Sequence, residues 1–199
     1  GDFHFQDALE NKDRESLYKL ATNEIVNFQS SLLKSEKKLP TFSPEWQVNE
    51  LDIFREWCLP DLPDIEYREI TSVLVNAIDQ IPKAFMHRDF HCRNILLCQE
   101  DKLGVIDFQG AMFGPVTYDL VSLLRDCYVE NDNEWIVKSV QNFQQNLLSA
   151  GLSHAQVEPE QFLRWFDLAG LQRHLKCVGI FHRLKIRDGK PEYMQDVPR

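Results

Sequence analysis

The hydrophobic period of this chain changes twice, and the stretch between the changes limits the fold more than any other feature. From Leu17 the apolar positions Leu17, Leu20, Ala21, Ile25, Phe28 and Leu32 recur at three- and four-residue steps, the spacing of one face of a helix. That helix is expected to close near Lys34-Ser35-Glu36-Lys37-Lys38, a solvated charged end. Ser43-Pro44 reads as an N-cap with proline at the first helical position. It opens a second helix through Trp46, Leu51, Phe54, Trp57 and Cys58, which Pro60 and Pro63 end. A third helix is expected to bury Ile70, Val73, Leu74, Ala77, Ile78 and Ile81 on one face, with Pro82 as its stop.

The period then shortens. Ala84-Phe85-Met86, Ile95-Leu96-Leu97 and Leu103-Gly104-Val105-Ile106 are brief apolar runs between polar turns, which predicts small strands. After Gly114-Pro115 the helical steps return through Leu120, Val121, Leu123, Leu124 and Cys127, then Ile136, Val140, Phe143 and Leu147. A last long helix is expected from Pro159 through Phe162, Trp165, Phe166, Ala169, Leu175 and Val178 toward Leu184, its aromatic residues in the core. The fold class read from this pattern is mainly α with a small β-hairpin insert.

With 199 residues, 43% of them hydrophobic, the chain can bury the core of one domain or slightly more. The net charge of −9 argues against a general nucleic-acid binder, because neutralising phosphates needs a basic face. No apolar run approaches the roughly 20 residues that cross a bilayer. With no basic-then-apolar leader pattern either, the expected location is cytoplasmic. Five cysteines without a C-x-x-C pair indicate reduced core thiols rather than a disulfide or zinc framework.

The chemistry concentrates in the insert. Asp89 lies two residues after His87 and five before Asn94, and His87-Arg88-Asp89-Phe90-His91-Cys92-Arg93-Asn94 follows the H-R-D-x-x-x-x-N pattern of a kinase catalytic loop. Phosphoryl transfer needs a carboxylate to orient an attacking hydroxyl and oxygen ligands to hold magnesium beside the phosphates. Asp107 ends the next apolar run, so a hairpin of residues 95–98 and 103–106 would return it to the mouth where Asn94 stands. Singly, either aspartate reads equally as a structural turn cap; the ordered combination is far more specific. His87, Asp89 and His91 also spell H-x-D-x-H, but no further histidine cluster supports a metallohydrolase.

Together with Val105-Ile106-Asp107-Phe108 and residues 114–120, Gly-Pro-Val-Thr-Tyr-Asp-Leu, this loop resembles the aminoglycoside phosphotransferase and choline kinase superfamily. Residues 120–128 and 170–176, with Gly179-Ile180-Phe181 and Arg187-Asp188-Gly189-Lys190, are similar to the bacterial N-acetylmuramate/N-acetylglucosamine kinases. The resemblance spans nearly all of residues 1–199. It implies the C-terminal lobe of a protein-kinase-like fold, with ATP as phosphoryl donor, Mg2+ as cofactor, and a sugar or amino-alcohol acceptor. By the same resemblance Asp89 is the base, Asn94 and Asp107 the metal ligands, Asp119 a buried acid bracing the loop, and His87 a structural loop member. His91 and Arg93 either contact acceptor or phosphate, or hold the loop. Arg125 and Arg173 either grip the acceptor through their planar donors or form salt bridges, with Asp119 or Asp126 as candidate partners.

The eight glycines never come closer than four residues apart, so no G-x-G-x-x-G loop is present. The resemblance places Gly1-Asp2-Phe3 just past the segment joining two lobes, and Val197-Pro198-Arg199 short of a further helix. The expectation is a lobe that lacks its nucleotide-binding partner and turns over little alone. Gly110 follows Gln109 where relatives often carry an acid. The other readings are an aminoglycoside or choline-type kinase and a non-catalytic acceptor-binding domain. A protein kinase fits poorly, because Gly114-Pro115 follows Asp107 too closely for a long activation segment.

Overall fold

A computed structural model of the protein describes residues 3–32, 39–99 and 102–197. The charged run at residues 34–38, Gly1, Asp2, Pro198, Arg199 and the side chain of Leu32 lie outside the described residues. The order is β1 (Phe3–His4), α1 (Phe5–Asn11), α2 (Arg14–Leu32), α3 (Pro44–Cys58), α4 (Asp64–Asp79), β2 (Lys83–Met86), β3 (Ile95–Leu97), β4 (Leu103–Val105), β5 (Met112–Pro115), α5 (Tyr118–Leu124), α6 (Asn133–Ser149) and α7 (Pro159–Ile186). The architecture is mainly helical with two small antiparallel sheets.

One sheet runs β1-β3-β4 and the other pairs β2 with β5. Met86 faces Met112 and Lys83 faces Pro115 across the second sheet, so residues 87–111 hang from a clamped base. The hairpin pairs Ile95 with Val105 and Leu97 with Leu103. β5 went unread in the sequence because Gly114 and Pro115 look like loop; Pro115 sits at the strand's end, where a missing N–H is tolerated. Gly114 leaves room there for the Met86 thioether, which would have to shift for a Cβ at that position.

Ser43 caps α3 by accepting from the Trp46 N–H at 3.3 Å. Of the face expected from the sequence for the helix that forms α4, Ile78 and Ile81 are buried, but Ile70 and Val73 are exposed, and Tyr67, Thr71 and Val75 turn inward instead. Thr71 can face the core because its hydroxyl is satisfied within the helix itself. The Thr71 hydroxyl donates to the Tyr67 carbonyl at 2.8 Å, and Tyr67 packs beside Leu51 and Val75. α3 is likewise rotated from its apolar reading. Trp46 is exposed, while Gln47 and Glu50 are buried with Leu51.

α7 is the spine of the molecule. Its Phe162, Phe166 and Ala169 join the core built from α1, α2, β2, α5 and α6. Farther along, Gly179 lets α3 approach so closely that a Cβ would stand 2.6 Å from the Phe54 backbone. The buried polar groups Glu50 on α3, and Gln172 and Arg173 on α7, belong to this α3–α7 side of the fold. Buried polar residues are the informative exceptions in a core.

Candidate active site

The loop after β2 is tied down at both ends by carboxylates. Asp119, in the first turn of α5 and 2% exposed, accepts the N–H of His87 at 2.7 Å and of Arg88 at 3.0 Å. Asp126, just past α5, accepts the N–H of Cys92 at 2.8 Å and of Tyr128 at 3.0 Å. Burial pushes the Asp119 carboxyl up to about 7, although its two backbone donors pull the other way. Between these ties Arg88 holds φ at 78°, a left-handed conformation that costs a non-glycine residue about 1–3 kcal/mol.

The Arg88 side chain offsets that strain. It donates to Glu50 at 2.7 Å and to the Gly110 carbonyl at 3.3 Å, and lies over the Trp46 ring. Glu50 also accepts from Gln172 at 3.0 Å and pairs with Lys176 at 2.9 Å. Burial alone would raise the Glu50 carboxyl, but Lys176, the Gln172 hydrogen bond and Arg88 together hold it below its ordinary range. Glycine at 110 fits this arrangement, because a Cβ there would stand 3.2 Å from the Arg88 guanidinium.

On the hairpin side, the Asn94 amide nitrogen donates to the Asp89 carbonyl at 3.0 Å, which leaves its side-chain oxygen free of that bond. The Ile106 N–H donates to the Asn94 carbonyl at 3.0 Å, so Asn94 and Asp107 share one end of the hairpin. Asp107 is exposed, at φ 66°, and accepts from the Gln109 amide at 2.6 Å. An amide and a carboxylate oxygen at one mouth form a hard-oxygen donor set that suits magnesium, which keeps waters and phosphate oxygens as its other ligands. Among the described residues no three His, Cys, Asp or Glu side chains group as metal ligands.

Asp89 itself lines a cavity of about 120 Å³ with His91, Tyr118, Cys127, Tyr128, Arg173, Lys176 and Cys177. Neither Asn94 nor Asp107 is in its wall. His87 is 1% exposed, edge-on to Phe90, and burial lowers its pKa, which favours the neutral ring. His91 is in the cavity wall, its ring edge-on to Tyr128, and burial lowers its pKa too. Arg93 turns elsewhere: its guanidinium lies 3.5 Å over the Tyr128 ring and pairs with Asp196 at 3.7 Å.

The structure separates the two α5–α7 arginines. Arg125 pairs with Asp167 at 2.8 Å, not with Asp119 or Asp126, and stands outside the Asp89 cavity. Arg173 is in that cavity. Glu50, Asp126 and Lys176 were not singled out from the sequence. Glu50 and Lys176 sit on amphipathic helices whose apolar positions drew the reading, and no spacing marks them; Asp126 was visible only as a possible partner for an arginine.

The sequence pattern of the family described as "Phosphotransferase enzyme family" matches residues 7–153. An N-acetylmuramate/N-acetylglucosamine kinase of Neisseria meningitidis is 34% identical over all of this chain and 62% of its own length. One of Pseudomonas aeruginosa is 34% identical over 98% of the chain and 59% of its own length. The chain thus spans about 60% of the length of these curated relatives. Among solved structures, Plasmodium vivax ethanolamine kinase superposes with a TM-score of 0.63 at 14% identity, over 96% of this chain and 59% of that one. A choline kinase from Cryptosporidium parvum gives 0.50 at 12% identity, over 96% and 66%. At such identities these two structures show the fold alone.

Proposed function

We propose that this chain, which belongs to the phosphotransferase enzyme family, forms the acceptor side of an ATP-dependent kinase that phosphorylates the anomeric hydroxyl of an N-acetyl amino sugar. The observation that carries this reading is Asp89, held on a loop tied at both ends by carboxylates, the buried Asp119 and the half-buried Asp126, and facing a cavity. There its carboxylate orients the acceptor hydroxyl and takes its proton as the oxygen attacks. Asn94 and Asp107 would hold Mg2+, which supplies positive charge to the donor's phosphates. His87, kept neutral by burial, packs the loop and moves no proton.

The acceptor class rests on the relatives' names and on the cavity's charge. Arg173 and Lys176 are in its wall, and two cations oppose an aminoglycoside or choline, which are themselves cationic. No G-x-G-x-x-G run occurs in the 199 residues, so the reading assigns the phosphate-cradling loop to sequence outside them. A role in cell-wall recycling in the cytoplasm belongs to this proposal. No described helix is long and apolar enough to cross a membrane.

Calorimetric titration of the protein with N-acetylmuramate, N-acetylglucosamine, kanamycin and choline tests the acceptor class. The amino sugars are expected to bind and the two cations not to. Binding of kanamycin or choline in preference to both sugars would replace the reading with its alternative.

A further inference from the structure

Arg173 is the buried charge that the proposed mechanism leaves without a task. It is 4% exposed, yet no carboxylate among the described residues lies within ion-pair distance of it. Apart from Asp89 in the same cavity wall, the acids on this side of the fold are committed elsewhere. Asp119 and Asp126 accept backbone N–H groups of the catalytic loop, Asp167 pairs with Arg125, and Glu50 serves Arg88, Lys176 and Gln172. The recorded partner of the guanidinium is the Cys127 sulfur at 3.9 Å, a weak acceptor. A buried cation without an anion is costly, and this one borders the Asp89 cavity.

We propose that Arg173 anchors a carboxylate on the acceptor, so that the favoured substrate is an acidic N-acetyl amino sugar rather than a neutral one. The proposal rests on the reading of Asp89 as the acceptor's base and narrows the acceptor it serves. A guanidinium offers a carboxylate two parallel donors, a geometry that a lone sulfur does not use. The cavity, about 120 Å³, is small beside the roughly 300–1,000 Å³ of sites that enclose a drug-sized ligand. It suits the acid-bearing arm of a sugar better than the whole ring.

The position of the cavity also bears on which anion it takes. An anion here has two sources, the acceptor's carboxylate or the donor's phosphate. Asn94 and Asp107, the residues suited to the phosphate side, are not in the cavity wall, which favours the acceptor.

The test is calorimetry on the protein with N-acetylmuramate, its carboxyl methyl ester, N-acetylglucosamine and magnesium tripolyphosphate. The free acid is expected to bind about tenfold or more tighter than the ester and the neutral sugar, the range of a charge-assisted pair. In Arg173→Met that ratio is expected to fall to near one, and in Arg173→Lys to be partly kept. Tripolyphosphate is expected not to displace the acid. Equal affinities for acid and ester would overturn the proposal while leaving the amino-sugar reading intact. Displacement by tripolyphosphate would assign Arg173 to the donor instead. If neither sugar binds, the amino-sugar reading falls and this proposal with it. Should Arg173→Met fail to fold, the acid-against-ester comparison on the unaltered protein still decides.

Discussion

Glu50 supports a cavity that it does not line. Its two oxygens receive Arg88, Lys176 and Gln172, linking the strained backbone of the loop at residues 87–94 to the Lys176 side of the cavity. Glu50→Gln would leave two cations without their carboxylate, and is expected to lower stability by about 3 kcal/mol, read as a shifted urea midpoint. Because the folded carboxyl is held below its ordinary range, its stabilisation is present above the unfolded pKa and lost as pH falls through the folded one. The variant should therefore lack that part of the acid limb. Asp119 has the opposite sign. Its carboxyl is pushed up to about 7, so the folded state binds a proton between about pH 4 and 7 that the unfolded chain has released. Its contribution to stability declines as pH rises across that window and is level above it. Urea midpoints from pH 4 to 8 should show a flatter profile for Asp119→Asn than for the unaltered protein.

At the scale of elements, the close approach of α3 and α7 carries the arrangement. Gly179→Ala would set a methyl group 2.6 Å from the Phe54 backbone, so helix separation or strain is expected to lower stability by about 1–3 kcal/mol. Ser43→Ala removes only a cap on the same α3 and should lower it by about 1 kcal/mol. Thermal melts of both variants check the order. The long helices were legible because their apolar steps run over four or more turns, as in α2, α6 and α7. The β3–β4 hairpin was legible from two apolar runs about a turn, and it brings Asn94 and Asp107 to one end as its register requires. The rotation of α3 and α4 was not, because polar residues turn inward there: Glu50 for partners far away in sequence, Gln47 and Thr71 with their polar groups satisfied by carbonyls four or five residues back. Periodicity weighs polarity along a helix and is blind to a polar interface between helices. α1 carried a usable signal in Phe5, Ala8 and Leu9 at helical steps, whereas the two-residue β1 carried none.

For the molecule as a whole, the chain places the loop proposed to be catalytic, a hard-oxygen pair and a cavity lined by Asp89, Arg173 and Lys176 on one mainly helical scaffold. It supplies no glycine-rich phosphate loop in its 199 residues. Turnover with ATP is therefore expected to be far lower for residues 1–199 alone than for a protein that carries a nucleotide-binding lobe ahead of them; comparable rates would remove that part of the account. The most direct measurement is phosphate transfer from ATP to an N-acetyl amino sugar by Asp89→Asn, made in the protein that carries the nucleotide-binding lobe, with acceptor affinity measured alongside. Loss of the base is expected to lower kcat by about 10²–10⁴-fold while the acceptor still binds. Transfer at the unaltered rate would contradict the role given to Asp89.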